Sequence, residues 1–348
     1  MYDVISLLTN RHDFFLQLLW EHIEISLSAS IIAIIIGGLL GILIYDYRRL
    51  SGPVMVVVNF LYTIPSISML GLLLYVSGVG NTTAIIALVI YALLPMVRNT
   101  FTGLDQIKND MREAGIALGL TRLQRLWNIE IPLAMPTIMA GIRTMLVMTI
   151  ALTGIASFIG AGGLGVAIYR GITTNQSALT IAGSLLIALL AIVVDTLFSI
   201  GERVTRISPH MKRYTIIFLS VMTLIAMAVG GWSLYCRYVK ADVIHIATKP
   251  MTEQLILGNV LKELIEHKTG LTVEVTEGVG GGTSNIQPAM RTGQFDIYPE
   301  YTGTAWSAVL KRTDAYDESR FNELSQAYKE AYNFEWVGMY GFNNTYGL

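Results

Sequence analysis

Glu113-Ala114-Gly115-Ile116-Ala117-Leu118-Gly119, followed nine residues later by Ile129-Glu130-Ile131-Pro132, is a polar island in an otherwise apolar chain. Residues 110–118 read as a short helix that Gly119 stops, because glycine tolerates the positive φ of a C′ position. Thr121 then caps a second helix, and Gln124 three residues on completes a capping box. Pro132 is expected to end that helix. The result is a helix–glycine–helix knuckle within a loop, residues 98–135, that joins two apolar runs. Tied at both ends and exposed in the middle, it is shaped to be gripped by another protein.

The surroundings set the scene for that loop. Of 348 residues, 53% are hydrophobic and only 14% charged, where an average soluble domain carries about 25% charged residues. Mean hydropathy is +0.54. These values exclude a disordered chain, a strongly basic nucleic-acid binder and an ordinary cytosolic enzyme. A bilayer crossing takes about 20 apolar residues. Such runs are expected at 23–44, 54–76, 82–97, 137–158, 178–200 and 214–235. With the N-terminus outside, the inward loops hold eleven positive charges (Arg48, Arg49, Arg98, Lys108, Arg112, Arg122, Arg125, Arg203, Arg206, Lys212 and Arg213) against Arg11 and Arg170 outward. The positive-inside rule then puts both the N-terminus and the segment after the sixth run outside the cytoplasm.

Residues 1–240 hold 16 Lys+Arg against 11 Asp+Glu, while residues 241–348 hold 8 against 14. A membrane part, 1–213, is therefore expected to lead through a sixth helix and tether, 214–240, into an acidic outward domain, 241–348. Within the spans, Pro65 in Thr63-Ile64-Pro65-Ser66 reads as a kink beside a pathway. Arg143 and Asp195 are expected to snorkel toward the headgroups. The glycine-rich residues 160–165 read as tight backbone packing near the outer gate. Cys236 is a lone thiol at the end of an apolar run, which excludes a disulfide framework.

After Lys240 the pattern becomes that of an α/β lobe. Strands are expected at 243–248, 271–276, 295–298 and 335–339, with helices from Thr252 (its cap) to Gly270, from near Ser284, at 304–311 and at 318–331. Ligands of such lobes sit beyond the carboxyl ends of the strands. Gln254, Thr283, Ser284, Tyr301, Thr304 and Tyr346 fall there. Helix N-termini and loop N–H groups favour a carboxylate, and tyrosine faces favour a cation without hydrogen-bond donors. A zwitterion with a quaternary nitrogen suits both. Tyr298 could instead be core, and packing is the expected role of Tyr316, Tyr328 and Tyr332. The five histidines share no metal-ligand spacing, and no G-x-S-x-G elbow is present.

The spacing E-A-G-x-x-x-G-x9-I-x-I-P resembles the EAA loop of ABC importer permeases, with Gly115 and Ile131 as mild departures. Thr63-Ile64-Pro65-Ser66-Ile67-Ser68-Met69-Leu70-Gly71 and Gly160-Ala161-Gly162-Gly163-Leu164-Gly165 look like the osmoprotectant permease subfamily. Gly281-Gly282-Thr283-Ser284-Asn285, the string from Tyr298 to Thr304, and Phe342-Asn343-Asn344-Thr345-Tyr346 look like its binding domain.

The resemblance implies an α-helical polytopic type I permease followed by an extracytoplasmic binding lobe. It implies a homodimer on a cytoplasmic ATPase dimer, which holds ATP and Mg. Glu113, Ala114, Gly115 and Gly119 would dock on the ATPase. Tyr301 and Tyr346 would cage the ammonium of betaine, carnitine, choline or a trimethylammonium amino acid such as ergothioneine, with Gln254 and Thr304 as polar contacts. The chain itself lacks a G-x-x-x-x-G-K-[ST] loop. Binding domains of this kind have two lobes, so the chain is expected to continue past Leu348. The alternatives are a tethered solute receptor without transport and an ion-coupled secondary transporter. No nucleic acid is expected as a partner; membrane lipid is.

Overall fold

The computed structural model describes residues 2–207, 243–291 and 293–343. Its contacts divide the chain into two units, Met1–Ala241 and Asp242–Leu348. The sixth apolar run, the tether with Cys236, and Tyr346 lie outside the described residues.

The first unit is helical: α1 (Tyr2–Asn10), α2 (His12–Asp46), α3 (Arg48–Thr63), α4 (Ser66–Ser77), α5 (Asn81–Asp105), α6 (Asn109–Ala117), α7 (Arg122–Arg125), α8 (Ile131–Thr153), α9 (Gly165–Thr173) and α10 (Ser177–Ile207). The central helix is α5, packed between α2 and α8. Small residues make that approach possible, since close packing of helix backbones in a bilayer depends on side chains that do not hold them apart. A Cβ on Gly37 of α2 would stand 2.8 Å from Met96 Cβ, and one on Gly141 of α8 would stand 2.9 Å from Asn99 Cγ. By contrast α10 turns Ile181, Leu185, Leu189, Ile192 and Leu197 outward, a stripe suited to lipid. α5 passes through Pro95 without ending, and Asn99 Nδ2 donates to the Pro95 carbonyl at 2.7 Å.

The run 54–76 kinks at Pro65 as its sequence reads, and sharply: α3 and α4 meet at a bend of 99°. Pro65 supplies no N–H and forces Ile64 to ψ 127°, and Tyr91 donates its hydroxyl to the freed Ile64 carbonyl. The pair still crosses the unit. Arg48 at its start pairs with Asp105 at the C-terminal end of α5, whereas Gly80 just beyond it donates to Ile159 O near the other end. One sequence expectation is corrected here: Arg143 and Asp195 do not snorkel separately. They form a bidentate pair between α8 and α10, because each is the counter-charge the other can reach without leaving membrane depth.

In the second unit, β1 (Val243–Ala247) and β2 (Thr272–Thr276) pair in parallel, with Val243 opposite Thr272 and Ala247 opposite Thr276. The expected third strand reduces to one parallel bridge, Ile246 to Ile297. Between β1 and β2 runs α11 (Thr252–Thr269), ended by Gly270 at φ 71°. Met251, not Thr252, takes its cap position, and no side chain caps it. α12 (Thr283–Arg291), a turn Thr302–Thr304 leading into a π turn Ala305–Val309, and α13 (Phe321–Tyr332) complete the unit. Residues 335–339 form no strand. Their alternation instead seats Trp336 against Tyr328 and Phe321, with ring centroids 5.4 and 6.0 Å away. That cluster, with Trp306 and Leu324, is the lobe's aromatic core.

Candidate functional site

The knuckle folds much as its sequence directs. Gly119 adopts φ 73°, and Leu120 N donates to Gly115 O at 3.1 Å, closing α6. The Thr121–Gln124 capping box opens α7. Pro132 does not end the following helix. A π turn, Leu126–Glu130, carries the chain without a break into α8, and Pro132 stands directly after that turn.

Glu113, Ala114 and Gly119 are exposed, but Gly115 is buried. A Cβ there would meet Ile129 Cδ1 at 3.0 Å and Arg125 Cγ at 3.3 Å. Its smallness lets α6 lie on the π turn. The outward surface also includes Ile116, Leu118, Leu123 and Trp127, all large and exposed. The signal for these was apolar residues in a loop that offers them no apolar stripe to join.

A buried carboxylate fastens the knuckle. Glu130 is 0% exposed and accepts from Arg122 Nη1 at 2.9 Å and Arg125 Nε at 2.8 Å. Arg122 also pairs with Asp46 at the end of α2. Arg112 Nη2 donates to Leu104 O on α5 at 2.9 Å. The guanidinium carbons of Arg112 and Arg122 stand 5.1 and 5.5 Å from the centre of the Tyr45 ring. Displacing α6 or α7 therefore pulls on the ends of α2 and α5.

At the opposite end of the bundle, residues 160–165 wrap α2. Gly163 N donates to Glu21 Oε2 and Gly162 N to Asn81 Oδ1, both at 3.0 Å. Gly163 has φ 94°, and a Cβ there would lie 3.1 Å from His22 Cα. Tight backbone packing is the role the geometry gives this loop.

In the lobe, the loops after β1, β2 and the Ile297 bridge converge on Glu300. Its carboxylate receives Lys249 Nζ, Thr283 Oγ1 at 2.8 Å and Tyr301 N at 2.7 Å. Lys249 is 3% exposed. Burial pulls its ammonium below the usual lysine range, and Glu300 beside it opposes the shift. Lys249 Nζ also sits 4.6 Å over the Tyr301 ring, and the Tyr301 hydroxyl donates to Glu253.

Of the residues singled out in the sequence, Gln254, Thr283 and Tyr301 thus belong to loops and a helix start around Glu300. Gln254 is 1% exposed, and its Oε1 has no hydrogen-bond partner among the described residues. Ser284 is exposed on the first turn of α12, and Thr304 is half-buried at the start of the π turn. Tyr298 donates to Gln287 Oε1 at 2.9 Å and holds its proton above the usual phenol range through burial. Tyr316 and Tyr332 pack around Trp306 and Tyr328. Sequence reasoning missed Lys249, Glu253 and Glu300. Their signal was position: charges at the carboxyl ends of strands, where a purely solvated role is uncommon.

Comparison with known proteins gives these arrangements relatives. Residues 31–207 match the family model described as binding-protein-dependent transport system inner membrane component. Residues 242–348 match the substrate binding domain of ABC-type glycine betaine transport system. The ergothioneine transport permease/ergothioneine binding protein EgtU of Helicobacter pylori is 37% identical over 330 residues, which is 92% of this chain and 59% of that protein. The chain thus spans less than two thirds of that relative's length. The glycine betaine/carnitine/choline transport system permease protein OpuCD of Bacillus subtilis is 45% identical over 57% of this chain and 86% of its own length. The osmoprotectant import permease protein OsmW of Salmonella typhimurium is 42% identical over 56% of this chain and 93% of its own. Among solved structures, a chain of the MetNI methionine ABC transporter in an inward-facing form aligns with TM-score 0.51 and 22% identity, covering 54% of this chain and 94% of that one. That likeness is one of fold alone.

Proposed function

The chain belongs to the family of binding-protein-dependent transport system inner membrane components, and from that premise we propose that it is the fused permease and solute-binding subunit of an ATP-driven importer for a quaternary-ammonium zwitterion. One observation carries the solute class. A domain matched to glycine betaine binding holds a tyrosine, Tyr301, whose ring face already seats an ammonium at 4.6 Å. Betaine, carnitine and ergothioneine share the trimethylammonium and carboxylate that such a site would recognise, and choline shares the former. In this reading Gln254, Tyr301 and Tyr346 contact the solute, with Thr304 and Ser284 at helix starts that favour its carboxylate. Thr283 acts through Glu300.

The lobe and the N-terminus face outward. The knuckle faces the cytoplasm, which agrees with the cluster Arg48, Arg112, Arg122 and Arg125 at that end of the bundle. Two copies of the membrane unit would rest on a separate ATPase dimer, which holds ATP and Mg. Glu113, Ala114 and the exposed Ile116, Leu118 and Trp127 form the docking surface. Nucleotide-driven movement of the ATPase would pass through Glu130 and its two arginines to α2 and α5.

The test is uptake of labelled glycine betaine by proteoliposomes that contain the chain with its ATPase. Uptake that follows internal ATP and survives an uncoupler supports the importer. Uptake that ignores ATP and collapses with the uncoupler means an ion-coupled carrier, and binding without uptake means a receptor.

A further inference from the structure

We propose that the Arg143–Asp195 pair is a polar station for a zwitterion inside the membrane unit, and that its exposed side faces water rather than lipid. The proposal rests on the importer reading for the identity of the solute. Its physical basis is separate.

Arg143 lies twelve residues into α8 and six into the apolar run 137–158, about 9 Å along the helix axis from the start of that run. Arg143 Nη2 donates to Asp195 Oδ2 at 2.6 Å, alongside a second bond from Nε to Oδ1. The two side chains are nevertheless 36% and 35% exposed. Charged groups at this depth almost always face a bundle interior or a water-filled cavity.

The surface of α8 around the pair bears this out. One turn before and beside Arg143 stand Ala140 and Thr144, both exposed, with Thr137 half-buried below. This differs from the Leu185, Leu189 and Leu197 stripe that α10 presents. α3 reaches α8 one turn beyond Thr144, where the Tyr62 hydroxyl donates to Met148 Sδ at 3.6 Å.

The pair can take up a zwitterion without leaving a bare charge. The solute's carboxylate replaces Asp195 on Arg143 while its quaternary ammonium takes Asp195, so one ion pair becomes two. A plain cation such as choline can take Asp195 only by breaking its two charge-assisted bonds from Arg143, with no carboxylate to offer the guanidinium in exchange. The station therefore favours zwitterions at this step.

The test uses the full chain with its ATPase in membrane vesicles, in a Cys236→Ser background. Thr144→Cys should react with a charged, membrane-impermeant methanethiosulfonate at least about tenfold faster than Leu189→Cys, and glycine betaine should slow the reaction. Labelling by a lipid-soluble maleimide alone would overturn the proposal by placing the face in lipid. A spontaneous disulfide between two copies at Thr144→Cys would overturn it by placing a second copy there. This readout needs no uptake, so it can fail while the importer reading stands.

Transport supplies the second arm. Arg143→Gln should shift the uptake ratio of choline to glycine betaine upward by about tenfold. An equal loss of both solutes, restored by the exchanged pair R143D/D195R, would leave the pair a structural latch and end the proposal.

Discussion

The Lys249 ammonium stands 4.6 Å over the Tyr301 ring while it pairs with Glu300. The aromatic face that a solute cation would seek is thus already covered on one side by the protein's own cation. Tyr301 has its other face to offer, and the Lys249–Glu300 pair beside it sets where that face lies.

Tyr301→Ala in the full chain should weaken glycine betaine binding by more than about tenfold, or 1.4 kcal/mol. Tyr301→Phe keeps the ring and should stay within about threefold. Calorimetry on the chain in nanodiscs checks both. Unchanged affinity in Tyr301→Ala removes the ring from the site.

Lys249→Met should cost the lobe about 3–5 kcal/mol, because it leaves the Glu300 carboxylate buried and without its counter-charge. The double variant Lys249→Met with Glu300→Gln should recover much of that loss. Urea unfolding of the lobe, followed by proteolysis, measures the difference. Additive losses would mean that the two side chains are not energetically paired.

Much of this architecture is legible in the order of residues alone. The knuckle is, because Gly119 and the Thr121–Gln124 box are local devices whose chemistry needs no distant partner. The five apolar runs that lie among the described residues all correspond to helices, with the kink at Pro65 turning one into a broken pair. The role of Glu130 is not legible, since a Glu between Ile129 and Ile131 looks solvated until the π turn folds Arg122 and Arg125 around it. Lys249 and Glu300 are 51 residues apart, and only the parallel order of β2, β1 and the Ile297 bridge brings them together. The strand expected at 335–339 does not form; the one aromatic of that stretch, Trp336, packs on Phe321 and Tyr328 of α13 instead.

Glu130→Gln removes the charge that holds Arg122 and Arg125 but keeps the size of the side chain. Solute-stimulated ATP hydrolysis by the assembled complex should fall by about tenfold, within the usual range of coupling energies. Solute binding should change less than about twofold, since the change sits in the knuckle alone. Intact stimulation would show that force reaches the helices by another route.

The lobe should lose stability in acid. Arg320 donates to Asp314 and Glu323, and the Ser319 hydroxyl donates to Asp317 at 2.6 Å. These bonds hold all three carboxyls below the usual range. A lowered folded-state value contributes stability that is present above the ordinary carboxylate pKa of about 4 and is lost as pH falls through the lowered values. Melting of the lobe between pH 7 and pH 3 should therefore steepen below about pH 4, and Arg320→Gln should flatten that limb. An Arg320→Gln profile parallel to the parent's would exclude this cluster as the cause.

Gly115 separates packing from docking. Were it part of the ATPase-facing surface, a modest side chain there would disturb the partner and leave the chain's own fold alone. The structure turns it inward, with Ile129 Cδ1 3.0 Å and Arg125 Cγ 3.3 Å from the point where a Cβ would be. Both neighbours are flexible side chains that can yield a few tenths of an ångström. Gly115→Ala should then be accommodated, helped by the roughly 1 kcal/mol by which alanine exceeds glycine in helix propensity. Gly115→Leu should lift α6 from the π turn at a cost of about 1–3 kcal/mol. The decisive measurement is the melting temperature of the chain without its ATPase. A packing role predicts that Gly115→Leu lowers it in the isolated chain, whereas a docking role predicts a normal melt and a defect seen only when the ATPase is added.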